Sequence, residues 1–433
     1  MFRDRRDRFM REIQDGVAVF CSAPVSSRNS DVEYEYRQDS DFYYLTGFEE
    51  PESVAVFLPN HPEHKFVLFV RQRDKEKETW TGRRAGVEGA VQKFGANKAF
   101  NLEDLDKELP ELLKDADTLY YRFGRNEEFN NRITKLLQRF QLTRPRTGKG
   151  ITKIIDPASI LHEMRSIKSL DDLKILRRAV EISAAGHLAA IRECRPGMYE
   201  YELEALIEYT FKKNGSVSPG YPTIVGAGAN GTILHYNTNT DQIKDGDLVL
   251  VDAGAEYNFF TGDVTRTFPA NGKFTEAQRD IYQLVLDAQL NAIDMVKPGA
   301  TVNTINNRTV ETLTEGMVRL GLLKGEIKKL IEDGAYRKFY MHRTSHWLGM
   351  DVHDVGMYQV NGSERALEPG MVLTVEPGLY ISGNDNEVDP KYWDIGVRIE
   401  DDVLVTDNGY EVLSATAPKA INEIESVMRP NLG

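Results

Sequence analysis

The spacing of apolar residues differs between the N-terminal and the C-terminal parts of the chain, which indicates two domains. Near the N-terminus, short β-branched and aromatic runs bounded by turn residues predict three strands, at residues 16–23, 53–59 and 65–71. Residues 101–142 carry apolar positions three and four apart, a spacing that is typical of helices. Proline, glycine and basic residues follow at 143–150, and we expect the domain connection between this stretch and Ser169. The sequence therefore predicts a smaller N-terminal α/β domain over residues 1–165.

The helical spacing strengthens after Ser169, where a larger domain over residues 166–433 is predicted. Ser169 and Asp172 form a typical helix-capping pair, and apolar positions recur at helical spacing as far as Ile191. Pro196 and the glycine after it end this helix. A second helix is then expected over 199–213.

The second domain contains an internal repeat. A helix, a basic-Pro-Gly turn and another helix occur around Pro196 and again around Pro298. Downstream of each, an apolar run between glycines ends in an acid, Asp252 in the first case and Glu376 in the second. In both, the acid follows one glycine by six residues and precedes another by two. We therefore expect two pseudo-symmetric α-α-β-β halves around one curved sheet, with the acids meeting near its centre.

Two further acids lie downstream of these, one in each half of the repeat. Asp263 follows Asp252 after a turn-like stretch at 256–259, and Glu400 ends a strand-like alternation in the second half. If Asp252 and Asp263 lie on adjacent antiparallel strands, their carboxylates share one face within about 5 Å. Four carboxylates buried together without compensation are costly, so such a group protonates or holds cations.

Four of the eight histidines fall in these two halves: His235, His342, His346 and His353. His342 and His346 are spaced as a zinc pair would be on a helix. The threonine, serine and glycine around them disfavour a helix, so we do not expect both to bind one ion. An oxygen-rich set with one imidazole suits Mn and similar divalent ions, and it has enough oxygens for two ions about 3.5–4 Å apart. Such a pair points to hydrolytic chemistry.

Composition narrows the classes of function. The net charge of −13 argues against nucleic acid as a main partner. The two cysteines, Cys21 and Cys194, imply neither a disulfide framework nor a thiolate metal site. The N-terminus lacks the apolar core of a secretory signal, and no apolar run approaches the ~20 residues of a membrane span. We therefore expect a cytoplasmic protein without a membrane partner.

Residues 226–231 read GxGxxG, a pattern that also occurs in dinucleotide sites. Such a site needs a helix to begin at the glycines, so that its N-terminus can hold the pyrophosphate. The residues that follow are β-branched and rich in asparagine, which disfavours a helix. We expect no nucleotide cofactor there.

Ten motifs together give the chain a resemblance to a known family. They stand at residues 27–48, 80–86, 162–168, 223–228, 235–236, 251–254, 262–266, 346–353, 375–380 and 396–400. In these motifs the chain resembles the Xaa-Pro aminopeptidases (aminopeptidase P), which are pita-bread metallopeptidases. The resemblance implies a mixed α/β (α+β) fold and removal of the N-terminal residue from peptides with proline second. It also implies a homodimer or homotetramer.

The resemblance also implies a role for each site residue. Asp252 would bind one divalent ion, Asp263 and Glu400 would bridge two, and His346 and Glu376 would bind the second. The ions would be Mn, with Co, Zn or Fe also fitting, and a hydroxide would bridge them and attack the carbonyl before proline. Glu376 would act as general base and His353 would stabilise the oxyanion. The substrate site would be lined by His235, His342, His353, Tyr380 and Arg398.

Two other functions remain open at this point. A prolidase (Xaa-Pro dipeptidase) would use the same five ligands, although residues 37–48 are more similar to the aminopeptidase. A non-enzymatic binding module on the same fold would have lost the ligands. The chain keeps all five, which favours an enzyme.

Overall fold

The computed structural model describes residues 1–428. The chain forms two compact units, Met1–Glu163 and the residues from Met164 onward. Both units mix helices with strands, and each has its own apolar core.

The first unit is built on a six-stranded mixed sheet. Its strands, with a separate small hairpin of β2 and β3, are β1 Val17–Cys21, β2 Ser27–Asn29, β3 Val32–Glu33, β4 Val54–Phe57, β5 Phe66–Val70, β6 Lys98–Asn101, β7 Thr118–Tyr120 and β8 Lys153–Ile155. The sheet order is β6-β5-β4-β1-β7-β8. β4 is antiparallel to β1 and β5, and the remaining pairs are parallel. The three predicted strands are thus confirmed as β1, β4 and β5.

Helices cover the sheet of the first unit. They are α1 Phe2–Ile13, α2 Ser40–Thr46, α3 Lys75–Thr81, α4 Gly86–Gln92, α5 Leu105–Leu113 and α6 Glu127–Thr147, and α7 Ala158–Ser166 follows at the boundary of the units. The largely helical prediction for 101–142 was wrong at β7, a strand too short to show a period. Residues 143–147 of the stretch rich in proline, glycine and basic residues belong to α6. Because Leu136 and Phe140 pack in the core, α6 continues to Gly148, whose φ of 70° ends it.

The second unit contains the remaining elements. Its helices are α8 Leu170–Glu193, α9 Glu200–Lys213, α10 Glu276–Ile293, α11 Val302–Arg319, α12 Ile327–Glu332 and α13 Ile421–Met428. Its strands are β9 Ser218–Pro219, β10 Ile224–Ala227, β11 Leu248–Asp252, β12 Ala255–Tyr257, β13 Phe260–Thr261, β14 Thr265–Pro269, β15 Gln359–Val360, β16 Ser363–Glu364, β17 Val372–Val375, β18 Gly378–Ile381, β19 Ile395–Arg398, β20 Asp401–Thr406 and β21 Gly409–Val412. Across residues 1–428, none of the helices combines the length and apolar character that crossing a bilayer requires.

The internal repeat is confirmed. In the first half α8 and α9 precede the antiparallel strands β10, β11 and β14, and in the second α10 and α11 precede β17 and β20. The registers correspond, since the residue before each acid is paired with the next strand, Val251 with Arg266 and Val375 with Asp401. A hairpin follows the acid in each half, β12–β13 in one and β18–β19 in the other. An antiparallel bridge between Thr265 and Glu400 joins the two halves beside the acids.

The GxGxxG stretch serves backbone packing. β10 runs into a short 3₁₀ turn at Gly228–Thr232, and no α-helix begins there, as expected. A Cβ on Gly226 would lie 2.9 Å from the backbone of Asn230, so the turn closes directly over the strand. On the other side, a Cβ on Gly396 of β19 would lie 2.0 Å from the carbonyl oxygen of Gly231.

We predict that Gly396→Ala lowers the free energy of unfolding by about 1–3 kcal/mol, because the added methyl meets backbone that cannot rotate away. Urea unfolding measures the loss. Ala229→Ser, which adds one atom at an exposed position of the same turn, is the control and changes stability by less than about 0.5 kcal/mol. Equal stability of the two variants would contradict the close backbone contact.

Candidate metal centre and active site

Four carboxylates and one imidazole converge on a single cavity of about 640 Å³. Asp252 ends β11, Asp263 lies between β13 and β14, Glu376 follows β17, and Glu400 precedes β20. The fifth member, His346, bonds the edge of β17 through its backbone carbonyl, which accepts the N–H of Thr374 at 3.0 Å. One ligand atom from each of Asp263, His346 and Glu400 can be chosen so that all three lie within 4.8 Å of one another.

The alternation of each strand aims its acid into the cavity. On β11, Leu250 packs with Ile224 and Tyr380, whereas Val249 and Val251 face the main core. Asp252 follows Leu250 by two residues and therefore shares its face. In the second half, the hydroxyl of Thr374 accepts the backbone N–H of His346 at 3.1 Å and donates to Oε1 of Glu376 at 3.4 Å. Thr374 and Glu376 therefore lie on the same face of the strand.

Glycines bring Asp252 and Asp263 together. A Cβ on Gly254 would lie only 1.8 Å from the carbonyl oxygen of Gly262, so the two segments carrying the acids pass at backbone contact. This arrangement differs from the expected pairing of acid opposite acid on adjacent strands. The residue opposite Asp252 is Thr265, and Asp263 lies in the loop that enters β14.

Tyr221 holds both of these acids and was missed in the sequence. Its hydroxyl oxygen lies 2.7 Å from Oδ1 of Asp252 and 2.6 Å from Oδ1 of Asp263. One phenol proton cannot satisfy two carboxylates at once. The hydroxyl therefore serves only one of the two carboxylates at a time, and the oxygens gathered around it fit a cation.

His346 presents one ring nitrogen to the acids. Its Nε2 lies 3.2 Å from Oδ2 of Asp263 and 3.5 Å from Oε1 of Glu376. The other nitrogen, Nδ1, lies 3.0 Å from the carbonyl oxygen of Trp347 and donates its proton there. A histidine ligand held in this way by a backbone carbonyl has its free nitrogen directed at the metal.

The electrostatics show a deficit of cations among these residues. Burial raises the pKa of Glu376 to about 7, although the neighbouring His346 opposes the shift. Burial, reinforced by the charge of Asp263, raises the pKa of Glu400 well above its usual value. Burial alone would lower the pKa of His346, but its hydrogen bond to Asp263 and the adjacent carboxylates raise it to about 9. Oxygen donors in this state fit divalent cations.

A directed chain of hydrogen bonds runs beside the acids. Burial, with the charge of Arg398, lowers the pKa of His342 to about 4, so its ring is neutral at pH 7. Its Nδ1 donates to the carbonyl oxygen of Arg343 at 2.8 Å, and its Nε2 accepts from the hydroxyl of Tyr380 at 2.8 Å. Tyr380 in turn accepts from Nη1 of Arg398 at 3.0 Å, while Nη2 donates to Asp252 at 2.6 Å.

His235 and His353 complete the cavity wall, and both are exposed. The ring of His353 lies edge-on to that of His346, with centroids 4.5 Å apart. Burial lowers the pKa of His353, and the nearby His346 adds to the shift. Of the ten predicted site residues, nine line the cavity. The tenth, Tyr380, stands behind His342 and Arg398.

Two more supporting residues were missed in the sequence. Thr265 donates its hydroxyl proton to Oε2 of Glu400 at 2.6 Å, and Asp402 accepts the backbone N–H of Asp263 at 3.0 Å. The signal for Asp402 was present, since residues 400–402 are three successive acids at the start of an apolar strand. Tyr221, between two prolines, offered no comparable pattern.

Comparison with known proteins identifies the class. Residues 174–407 match the model of metallopeptidase family M24, and residues 2–120 match the N-terminal domain of aminopeptidase P. The chain is 46% identical over 435 aligned residues to the Xaa-Pro aminopeptidase of Escherichia coli strain K12, covering 99% of this chain and 97% of that protein. It therefore belongs to the aminopeptidase P family of M24 metallopeptidases.

Solved structures agree with this assignment. Pseudomonas aeruginosa aminopeptidase PepP is 47% identical with a TM-score of 0.97, over 99% of this chain and 97% of that one. Zinc-substituted E. coli aminopeptidase P in complex with product is 44% identical with a TM-score of 0.95, over 99% and 98% of the two chains. The predicted resemblance and the pita-bread fold are thus confirmed.

We predict that the chelated protein loses stability as pH rises from 6.5 to 9. Over this range folded His346 keeps a proton that the unfolded chain has released, so the folded state loses its advantage as the pH rises. The raised pKa of His346 alone accounts for a loss on the order of 3 kcal/mol. Urea unfolding at the two pH values measures it, with His346→Gln as the variant in which the loss is smaller. A chelated protein that gains stability over this range would contradict the cation deficit.

Proposed function

We propose that this chain is a metal-dependent Xaa-Pro aminopeptidase, which hydrolyses the bond between an N-terminal residue and a proline in second position. The observation that carries the proposal is the convergence of Asp252, Asp263, His346, Glu376 and Glu400 on one cavity. The family membership and the curated Xaa-Pro aminopeptidases that match nearly the whole chain support it.

The five residues would hold two divalent cations. Asp252 would bind one, Asp263 and Glu400 both, and His346 and Glu376 the second. Four carboxylates and one imidazole suit Mn²⁺, and Co²⁺, Zn²⁺ or Fe²⁺ also fit. When bound, such a pair acidifies water and polarises a carbonyl group.

Glu376 would carry the proton during hydrolysis. Its carboxylate faces the cavity beside His346, and its pKa of about 7 in the absence of cations would fall when they bind. It would take a proton from the attacking water and deliver it to the proline nitrogen as the C–N bond breaks. That nitrogen has no hydrogen of its own in the peptide, so it cannot leave without one.

The histidines of the wall would select and stabilise the reacting groups. His353, exposed on the wall, would donate a hydrogen bond to the carbonyl oxygen as negative charge develops on it. His342, neutral because its pKa is near 4, and His235 would contact the pyrrolidine ring. One of the cations would hold the free amine of the substrate, which favours removal of a terminal residue.

Three further features belong to the proposal. We place the catalytic machinery in residues 166–433, with residues 1–165 as a separate domain. Free Cys21 and Cys194 fit a reducing, cytoplasmic compartment. The side chain of Trp80, 84% exposed, favours a subunit contact in a homodimer or homotetramer.

We predict that activity requires both cations and the bridging acid. Chelated protein restored with Mn²⁺ should cleave an Xaa-Pro-Yaa tripeptide after its first residue, and Asp263→Asn should lower kcat by at least about a hundredfold. Asp245→Asn, which removes an exposed negative charge where Asp245 accepts a hydrogen bond from Asn271, is the matched control. Rates are followed by release of the free amino acid, and metal content by mass spectrometry.

The choice of peptide separates the candidate enzymes. Cleavage of an Xaa-Pro dipeptide without the tripeptide would make the chain a prolidase with the same metal site. Failure of both peptides with every cation would overturn the enzymatic proposal and favour a binding role. Two equivalents of metal per chain are expected, and one equivalent at full activity would overturn the two-ion assignment.

We predict that Tyr380→Phe lowers kcat/KM about tenfold. The substitution removes the hydroxyl that joins His342 to Arg398, so the ring orientation of His342 is no longer fixed. Steady-state kinetics on the tripeptide measure the loss. Tyr410→Phe, which removes an exposed hydroxyl bonded to Asp294, should change neither constant. Full activity of Tyr380→Phe would exclude this role for the chain of hydrogen bonds.

A further inference from the structure

A buried group of opposite charges lies outside the metal ligands. Arg165 donates through Nη2 to Oδ1 of Asp354 at 2.6 Å and to Oδ2 of Asp351 at 2.7 Å. Lys168 donates through Nζ to the other oxygen of Asp354 at 3.2 Å. The side chains of Arg165, Lys168 and Asp354 are 3%, 2% and 1% exposed. Charges this deeply buried are stable only as a paired set.

This group holds the segment that carries His353. The backbone leaves the edge of β17 after Leu348, whose N–H bonds the carbonyl of Val372 at 3.0 Å. It then turns back, so that the N–H of Asp354 bonds the carbonyl of Trp347 at 2.9 Å. From this point the residues up to Gly356 form neither helix nor strand.

The backbone of the His353 segment packs closely against this group of charged side chains. A Cβ on Gly349 would lie 2.1 Å from Oδ2 of Asp354 and 3.0 Å from Cε of Lys168. A Cβ on Gly356 would lie 2.7 Å from Oγ of Ser166. The 165–168 segment therefore contacts both ends of the turn that contains His353.

His353 itself has little to hold its side chain. Among residues 1–428 the structure assigns its ring no hydrogen bond, and its ring contact is the edge-on approach to His346. The ring is exposed in the cavity. Its direction is therefore set by the backbone of residues 352–354.

We propose that Arg165 and Lys168 are positioning residues that act through Asp354 to hold His353 where it meets the carbonyl oxygen of the substrate. The inference rests on the proposed function for the role of His353. The ion group would keep the donor in place before substrate binds, so that no reorganisation is needed as charge develops. Its loss would lower kcat and leave the binding of peptide and metal nearly unchanged.

The first experiment compares Asp354→Asn and Lys168→Met with the parent, using Mn²⁺-loaded protein and an Xaa-Pro-Yaa tripeptide. We expect kcat to fall at least tenfold, KM to stay within twofold, and metal affinity by calorimetry to be unchanged. Lys168→Arg, which keeps the charge, should recover much of the activity lost in Lys168→Met. Glu411→Gln, which breaks an exposed ion pair with Arg177, is the matched control and should change kcat by less than twofold.

A double-mutant cycle shows whether the effect passes through His353. If it does, Asp354→Asn and Lys168→Met should change the residual kcat of His353→Ala by less than twofold. A full tenfold loss in that background, or loss of bound metal, would overturn the proposal and leave the ion group a general support of the fold. If Asp354→Asn does not fold, the Lys168→Met and Lys168→Arg pair decides the question alone.

A measurement that does not depend on turnover separates this inference from the proposed function. The exchange rates of the backbone amide hydrogens of residues 349–356 should rise at least tenfold in Lys168→Met and stay at the parental values in Glu411→Gln. Unchanged exchange would overturn the positioning role, whatever the kinetics. If the parent cleaves no peptide but exchange rises as expected, the proposed function fails and the control of this segment stands.

Discussion

The free-energy cost of burying four carboxylates around one cavity determines much of the arrangement of the second unit. Asp252, Asp263, Glu376 and Glu400 face one space, while Arg398 pairs directly with Asp252 alone. Such a group is stable when cations are bound, or when its members take up protons. The supporting contacts follow from this constraint, since the hydroxyl groups of Tyr221, Thr265 and Thr374 each donate to one or more of these carboxylates.

The repeat explains how the chain builds such a group from ordinary local structure. Each half contributes a buried strand with an acid at its end, and alternation along the strand decides which way the acid points. These features are local in sequence, so the halves and the acids at the ends of their strands could be predicted. The resemblance to aminopeptidase P added the roles that spacing alone left open, such as the preference for His346 over His342.

The parts that could not be predicted depend on contacts between distant segments. Tyr221 meets its two acids only after the chain has folded, and nothing around it in the sequence marks a partner. β7 is three residues long and has one fully buried side chain, so it shows no period. Asp263 lies in a loop because a hairpin, β12–β13, is inserted between the paired strands, and a turn signal alone does not reveal that extra pair.

The division of the ligands between the halves has a consequence for the timing of synthesis. Ribosomes add roughly 5–20 residues per second, so Glu400 leaves the ribosome about 7–30 seconds after Asp252. Until residue 346 is synthesised, the nascent chain holds only the first two acids and lacks the histidine and both glutamates. A fragment with so few of the proposed ligands would hold a cation weakly, so metal binding would come late in the assembly of the protein.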